Sequence, residues 1–282
     1  MLDTLIFIFL IIALAGFVLH FFPTKYKKYF GICGWVSLAA GFLCMLPEQI
    51  AEGGVFYPAL IIIFVPIVYI TVKRLLKEDE HITRLTYGVG VGALAYAPFE
   101  LIKPLGDWLI STVVSCIQFV FNVTGFEYQM YDWNIFESTW LIPGYAVGYR
   151  DEIILGCTGI TAIAILLGVI FLTPTSWKKK LALFCLITIP IYIVNIFRNV
   201  FVIRAYFEQW FPYMQEWFYH PTIPNYASFA WAHNIICEGL AFVVIIVIAA
   251  LLFKLAPGLV SSIKSILLIY RDDARELLRM KK

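Results

Sequence analysis

Three side chains suited to making and breaking an acyl bond stand in short polar blocks of an otherwise apolar chain. They are Cys157 in "GCTGI" (156–160), Arg198 in "NIFRN" (195–199) and His233 in "WAHN" (231–234). A cysteine attacks a carbonyl as its thiolate, a form that a neighbouring cation and a helix N-terminus both favour. An imidazole can pass a proton to a leaving amine, and a guanidinium, always charged, can stabilise an oxyanion. Together they hold the parts of a thioester-forming acyl transfer, with Cys157 as nucleophile, Arg198 as stabiliser and His233 as general acid and base. Gly156, Thr158 and Gly159 are small and leave the thiol open to an approaching chain. Asn195 and Asn199 flank Arg198 as a polar stripe, and Asn234 follows His233, so these amides are the supporting candidates.

Each of the three also has a plainer reading. Cysteine is a small hydrophobe in apolar helices, which accounts for Cys33, Cys44, Cys185 and Cys237. Arginine near a helix end snorkels to headgroups, and histidine at a helix start is an interfacial polar group. A disulfide from Cys157 to Cys116 or Cys237 is an open alternative that would remove the nucleophile. His220 in "FYHPT" is the rival base; His233 is favoured because it begins a helix beside the polar stripe. No zinc-ligand spacing, serine elbow, HExxH helix or phosphate-binding loop occurs, so neither metal nor cofactor is expected.

The elements that must position these residues are membrane helices. With 61% hydrophobic and 14% charged residues and a mean hydropathy of +0.85, the chain is too apolar for a soluble domain of this length. Apolar runs of crossing length fall at about 2–22, 29–46, 55–72, 83–103, 153–173, 181–203 and 231–253. The first is expected to be retained, because it carries Asp3 where a leader would carry basic residues. The expectation is an all-α, polytopic bundle of seven to eight transmembrane helices in a single domain spanning 1–282. Its outer loops, 124–150 and 204–231, are aromatic-rich. They read partly as an interfacial belt and partly as a cap over a groove for peptide or lipid. The segment 106–122 reads as an interfacial or re-entrant helix, and 259–282 as a cytoplasmic amphipathic tail.

Basic residues set the orientation. With the N-terminus outside, 17 of the 21 lysines and arginines lie on the cytoplasmic side; the reverse topology inverts that tally. Cys157, Arg198 and His233 then meet at one depth, near the extracytoplasmic face of the cell membrane.

With those blocks in hand, the chain resembles the exosortases and archaeosortases, membrane-embedded cysteine transpeptidases. "GCTGI", "NIFRNVFVIR" (195–204) and "WAHN" look like that family's Cys, Arg and His blocks in the same order, over roughly 145–253. The cysteine block and the 41-residue step to Arg198 look most like the archaeosortase A subfamily, although some archaeosortases have arginine where His233 stands. The resemblance implies partners that composition cannot reveal. These are secreted or surface proteins ending in a short motif (PGF-like in that subfamily), a transmembrane helix and a basic tail, with a membrane lipid as acceptor; nucleic acid is not among them. Two other readings stay open, a noncatalytic lipid or peptide transporter and an acyltransferase drawing on a phospholipid. The transporter would use Arg198 and His233 to bind an anionic headgroup.

Overall fold

The computed structural model of the chain describes residues 2–51, 56–218, 220 and 223–279. Peptide groups cannot go unpaired in hydrocarbon, so the apolar runs coil into helices that satisfy them internally. These are α1 (Leu2–His20), α2 (Lys27–Ala51), α3 (Phe56–Leu76), α4 (Glu80–Leu101), α5 (Lys103–Thr124), α6 (Ile160–Phe171), α7 (Trp177–Phe207), α8 (Ala227–Ala230), α9 (Glu238–Leu255) and α10 (Pro257–Arg279). Among the described residues, five stretches are long and apolar enough to cross a membrane: 27–47, 58–76, 103–124, 177–207 and 227–255. The protein is a multi-pass helical membrane protein.

The boundaries differ from the sequence expectation where the backbone changes direction. The expected span 153–173 contracts to α6, because β-structure runs through Glu152 and Gly159 takes a left-handed conformation (φ 79°) that ends the preceding turn. Around the expected interfacial segment 106–122, α5 is one continuous helix of 22 residues. It starts after the extended Ile102, with Pro104 in its first turn, and ends at Gly125 (φ 67°), whose N–H bonds the Phe121 carbonyl. The aromatic segment expected to be a loop contains a sheet as well, an antiparallel meander of β1 (Gln129–Asp132), β2 (Ile135–Leu141) and β3 (Gly148–Glu152). In the second aromatic segment, residues 219, 221 and 222 lie outside the described residues, as do 280–282 of the tail.

The chain divides into two compact units, one of residues 1–97, 164–180 and 255–282, the other of 98–163 and 181–254. Both are assembled from alternating segments, so no linker marks them in the sequence. In the first unit, Phe17, Trp35, Val68, Leu75 and Ile82 form the core. There α4 and α6 approach to backbone contact: a Cβ on Gly88 would lie 2.6 Å from the Gly168 carbonyl oxygen. Such small-residue contacts replace the hydrophobic drive that lipid cannot supply. The α10 helix docks on α3 by polar groups. Tyr270 meets the Thr71 hydroxyl at 2.6 Å, and Asp273 receives two 2.7 Å hydrogen bonds from Arg74.

The second unit is built on Val113, Ile117 and Phe121 of α5, Phe136 of β2, Tyr149 of β3 and Ile203, Tyr206 and Phe207 of α7. Phe126 and Tyr128, from the segment read as part belt and part cap, pack against this cluster. Rings such as Tyr131, Tyr145 and Trp217 remain exposed.

Candidate active site

The site in the second unit begins with the sheet. In β2 and β3, Phe136 pairs with Asp151 and Glu137 with Arg150, the latter closed by a 2.8 Å ion pair. Side chains alternate along a strand, so Tyr149, Asp151 and Ile153 share a face; Tyr149 and Ile153 are buried there. The chain leaves β3 through Ile153 and Ile154 into a single 3₁₀ turn, Leu155–Thr158, that carries Cys157. Thr158, itself buried, ties the turn down by donating to the Leu155 carbonyl at 2.7 Å.

The asparagines of α7 fix this turn. Asn195 and Asn199, one helical turn apart, both donate to the Cys157 carbonyl, at 2.7 and 2.8 Å. Gly159 lies against Asn195, where an added Cβ would meet the amide carbon at 3.3 Å. Any other residue there would combine that close approach with an unfavourable φ. Asn199 is 3% exposed and uses its other end as well, its Oδ1 accepting from Arg198 Nη1 at 3.2 Å.

Arg198 then reaches across to His233, with Nη2 2.7 Å from Nε2. A guanidinium only donates, so Nε2 is the acceptor and carries no proton in this contact. The ring proton is on Nδ1, which donates to Asn234 Oδ1 at 2.7 Å. Phe229 stacks on the imidazole at 5.0 Å between centroids. His233 stands within a π-helical segment, Trp231–Cys237, between α8 and α9, rather than at a helix start. Single π turns interrupt the regular helical ladder and recur at functional sites.

Electrostatics run against a freely ionised thiol. Burial pushes the Cys157 thiol above its ordinary range and the Asp151 carboxylate adds to the rise, while the Ile154 backbone and the Arg198 guanidinium oppose it. Sequence reasoning expected a thiol lowered by a helix end and two cations. The α6 helix begins only at Ile160, and His233 in its contact with Arg198 is neutral, so among the described residues Arg198 is the full cation acting on the sulfur.

Asp151 escaped the sequence reading. The residue is half-buried and its carboxyl is surrounded by protein, which pushes its pKa from the ordinary 3.8 to about 7; Arg198 pulls it down and Glu152 raises it. The signal was available in "YRDEI", where an acid lies two residues from Tyr149 and two from Ile153. Read as a strand, that spacing turns it inward.

The structure thus gathers Cys157, Arg198, His233, Asn195, Asn199 and Asn234 in one unit. The rival His220 is engaged elsewhere, its Nδ1 accepting from the Ile223 N–H at 3.1 Å. The six cysteines are free thiols, Cys116 and Cys237 included.

Comparison with known proteins gives the same direction. The family described as transmembrane exosortase (Exosortase_EpsH) matches residues 3–223, which include Cys157 and Arg198 and stop short of His233. Archaeosortase A of Natronomonas pharaonis is 25% identical over 252 residues, covering 85% of this chain and 79% of that protein. Archaeosortase A of Haloferax volcanii is 24% identical over 208 residues, 68% of each chain. No solved structure matches.

Proposed function

The chain belongs to the transmembrane exosortase family, and from that premise we propose that it is a membrane-embedded cysteine transpeptidase that sorts secreted or surface proteins. Its relatives named archaeosortase A support this substrate class. The observation that carries the reading is the 2.7 Å contact of Arg198 with His233 beside a cysteine whose carbonyl two asparagines grip.

In this reading the thiol is protonated at rest and loses its proton as it attacks. Sγ bonds to the scissile carbonyl carbon, the thiol proton passes to His233 Nε2, and the carbonyl electron pair moves onto oxygen. For Nε2 to accept that proton, the guanidinium must leave it. The same shift delivers Arg198 N–H groups to the oxyanion, where positioned donors are worth about 10²–10³ in rate. Collapse breaks the C–N bond, His233 protonates the departing amine, and a thioester to Cys157 remains. An acceptor amine, assigned to a membrane lipid, then displaces the sulfur and restores the thiol. Asn195, Asn199 and Asn234 hold the parts in place.

The recognition signal in this reading is C-terminal, a short PGF-like motif followed by a transmembrane helix and a basic tail. Cleavage takes place on the extracytoplasmic face, with the N-terminus outside and the C-terminus in the cytoplasm, the side on which most basic residues fall. The test is co-expression with a protein bearing such a signal and mass analysis of its new C-terminus. A lipid adduct that disappears with Cys157→Ala, together with a trapped thioester to the substrate peptide, supports the proposal. Unchanged processing in Cys157→Ala sinks it in favour of a noncatalytic transporter, a phospholipid acyl group on the thiol points to the acyltransferase, and a free acid alone removes the transfer step.

A further inference from the structure

The first unit contains a cavity of about 390 Å³ where the α1–α2 and α3–α4 connections meet. It is within the range of small-ligand clefts, about 300–1,000 Å³. Its lining includes Lys25, Lys27 and Lys28 with Thr24 and Thr83. Two acids also line it and both are engaged. Glu78 pairs with Lys28 at 2.8 Å, and Glu80 pairs with Arg84. Lys25 and Lys27 carry no ion pair among the described residues. Their ammonium groups rest over Tyr26 and Tyr87, at 5.0 and 4.4 Å from the ring centroids. Two lysines without an anionic partner among the described residues therefore line one hollow.

The second observation is His20, which closes the inner wall and is 1% exposed. Its Nδ1 lies 2.9 Å from the Lys27 carbonyl, which can only accept, so Nδ1 holds the proton. Nε2 is then a lone pair, buried without a hydrogen-bond partner among the described residues. Beyond that carbonyl the ring feels the Lys27 charge and the Thr83 backbone, and a carbonyl cannot serve a lone pair. Leaving a buried acceptor empty is costly, so the wall is made for a donor.

A ligand that meets both demands carries negative charge for the lysines and a hydroxyl for Nε2. The hollow also lies at the end of α1, where Leu19 and Phe22 stand exposed, 42% and 55%, as lipid-facing side chains do. We propose that this cavity binds a phosphodiester headgroup bearing a free hydroxyl, of the phosphoglycerol type, independently of the cysteine site. Lys25 and Lys27 contact the phosphate, and His20 Nε2 accepts from the hydroxyl. Phosphate and glycerol hydroxyl occur together on such a lipid and, as a monoester, on free glycerol phosphate, and only the lipid has tails to lay along α1.

Native mass spectrometry of the whole protein, released from micelles doped with phosphatidylglycerol or phosphatidylcholine, tests this. The expected result is one phosphatidylglycerol retained under activation that strips phosphatidylcholine, and at least a tenfold loss of retention in Lys25→Gln/Lys27→Gln. Lys178→Gln/Lys179→Gln removes equal charge elsewhere and retains the lipid. His20→Gln, checked for unchanged thermal unfolding, lowers retention of phosphatidylglycerol but not of phosphatidic acid, which lacks the hydroxyl. Free glycerol phosphate at millimolar concentration displaces the lipid if the headgroup alone suffices. Equal retention of the two lipids by the native protein, or undiminished retention by the Lys25/Lys27 variant, overturns the proposal.

Discussion

The two units handle buried charge in opposite ways. In the first, Asp273 is 3% exposed and receives both hydrogen bonds of an arginine fork, so each charge has a full partner. In the second, Arg198 is divided among Asp151, Cys157, Asn199 and His233 and satisfies none of them fully. A completed pair fastens α10 to α3 and has nothing left to offer a reactant. A shared cation leaves a raised thiol, a raised carboxyl and a neutral imidazole close together, and perturbed groups of this kind cluster at functional sites.

The contrast breaks most sharply in a pair of variants. Cys157→Ala lowers processing of a signal-bearing protein below detection, a loss of at least about 10³-fold if the sulfur is the nucleophile. Asp273→Asn lowers the melting temperature by a few degrees and leaves processing intact. Processing assays and thermal unfolding on both variants check this, and activity surviving in Cys157→Ala would erase the distinction.

Next in size is Arg198→Lys, which keeps the charge but loses the planar fork that reaches Asn199 and His233 at once. Processing falls by about 10²–10³ with substrate binding little changed. Asn199→Ala has a smaller effect, because Asn195 still donates to the Cys157 carbonyl. Loss of a buried hydrogen-bonding group costs about 1–3 kcal/mol in denaturant unfolding and slows processing about tenfold.

The smallest effect, and the one that contrasts the units directly, is the sign of pH dependence. Asp151 titrates near 7 when folded against 3.8 ordinarily. Between those values the folded state holds a proton that the unfolded state has lost, so stability falls as pH rises from about 4 to about 7. Hydrogen bonding to Arg74 lowers Asp273, so its contribution is present above 3.8 and lost as pH falls below that value. Melting curves from about pH 3 to 8 should flatten on the neutral limb in Asp151→Asn and on the acid limb in Asp273→Asn. Flattening on the same limb in both would remove the contrast.

What was legible in the sequence followed from period and charge. Cys157, Arg198 and His233 stood out because each interrupts an apolar run, and intramembrane polar residues face an interior. Their amide partners were visible as the stripe beside Arg198. Asp151 was not, since the strand that turns it inward is a short piece of a segment whose aromatic density suggested a belt. The exchange of α6 for a longer expected helix has a local cause as well. Hydropathy runs on through "IILGCTGITAI", but the left-handed Gly159 divides it. Composition registers how apolar a stretch is and cannot register a single backbone angle. The cavity beside His20 was illegible for another reason: it depends on the meeting of two connections more than 50 residues apart.

The π-helical segment that carries His233 represents a one-residue surplus in a helix that otherwise keeps its pitch. Each residue of an α-helix turns the face by about 100°. Deleting one position between Trp231 and Cys237 would let the ladder close into ordinary α geometry and swing one flank by that angle relative to the other. Either the imidazole would point away from the guanidinium, or the whole of α9 would present a different side to its surroundings. The aim of a single side chain is thereby written into the residue count of its helix, and a change of length there is more disruptive than most changes of residue type.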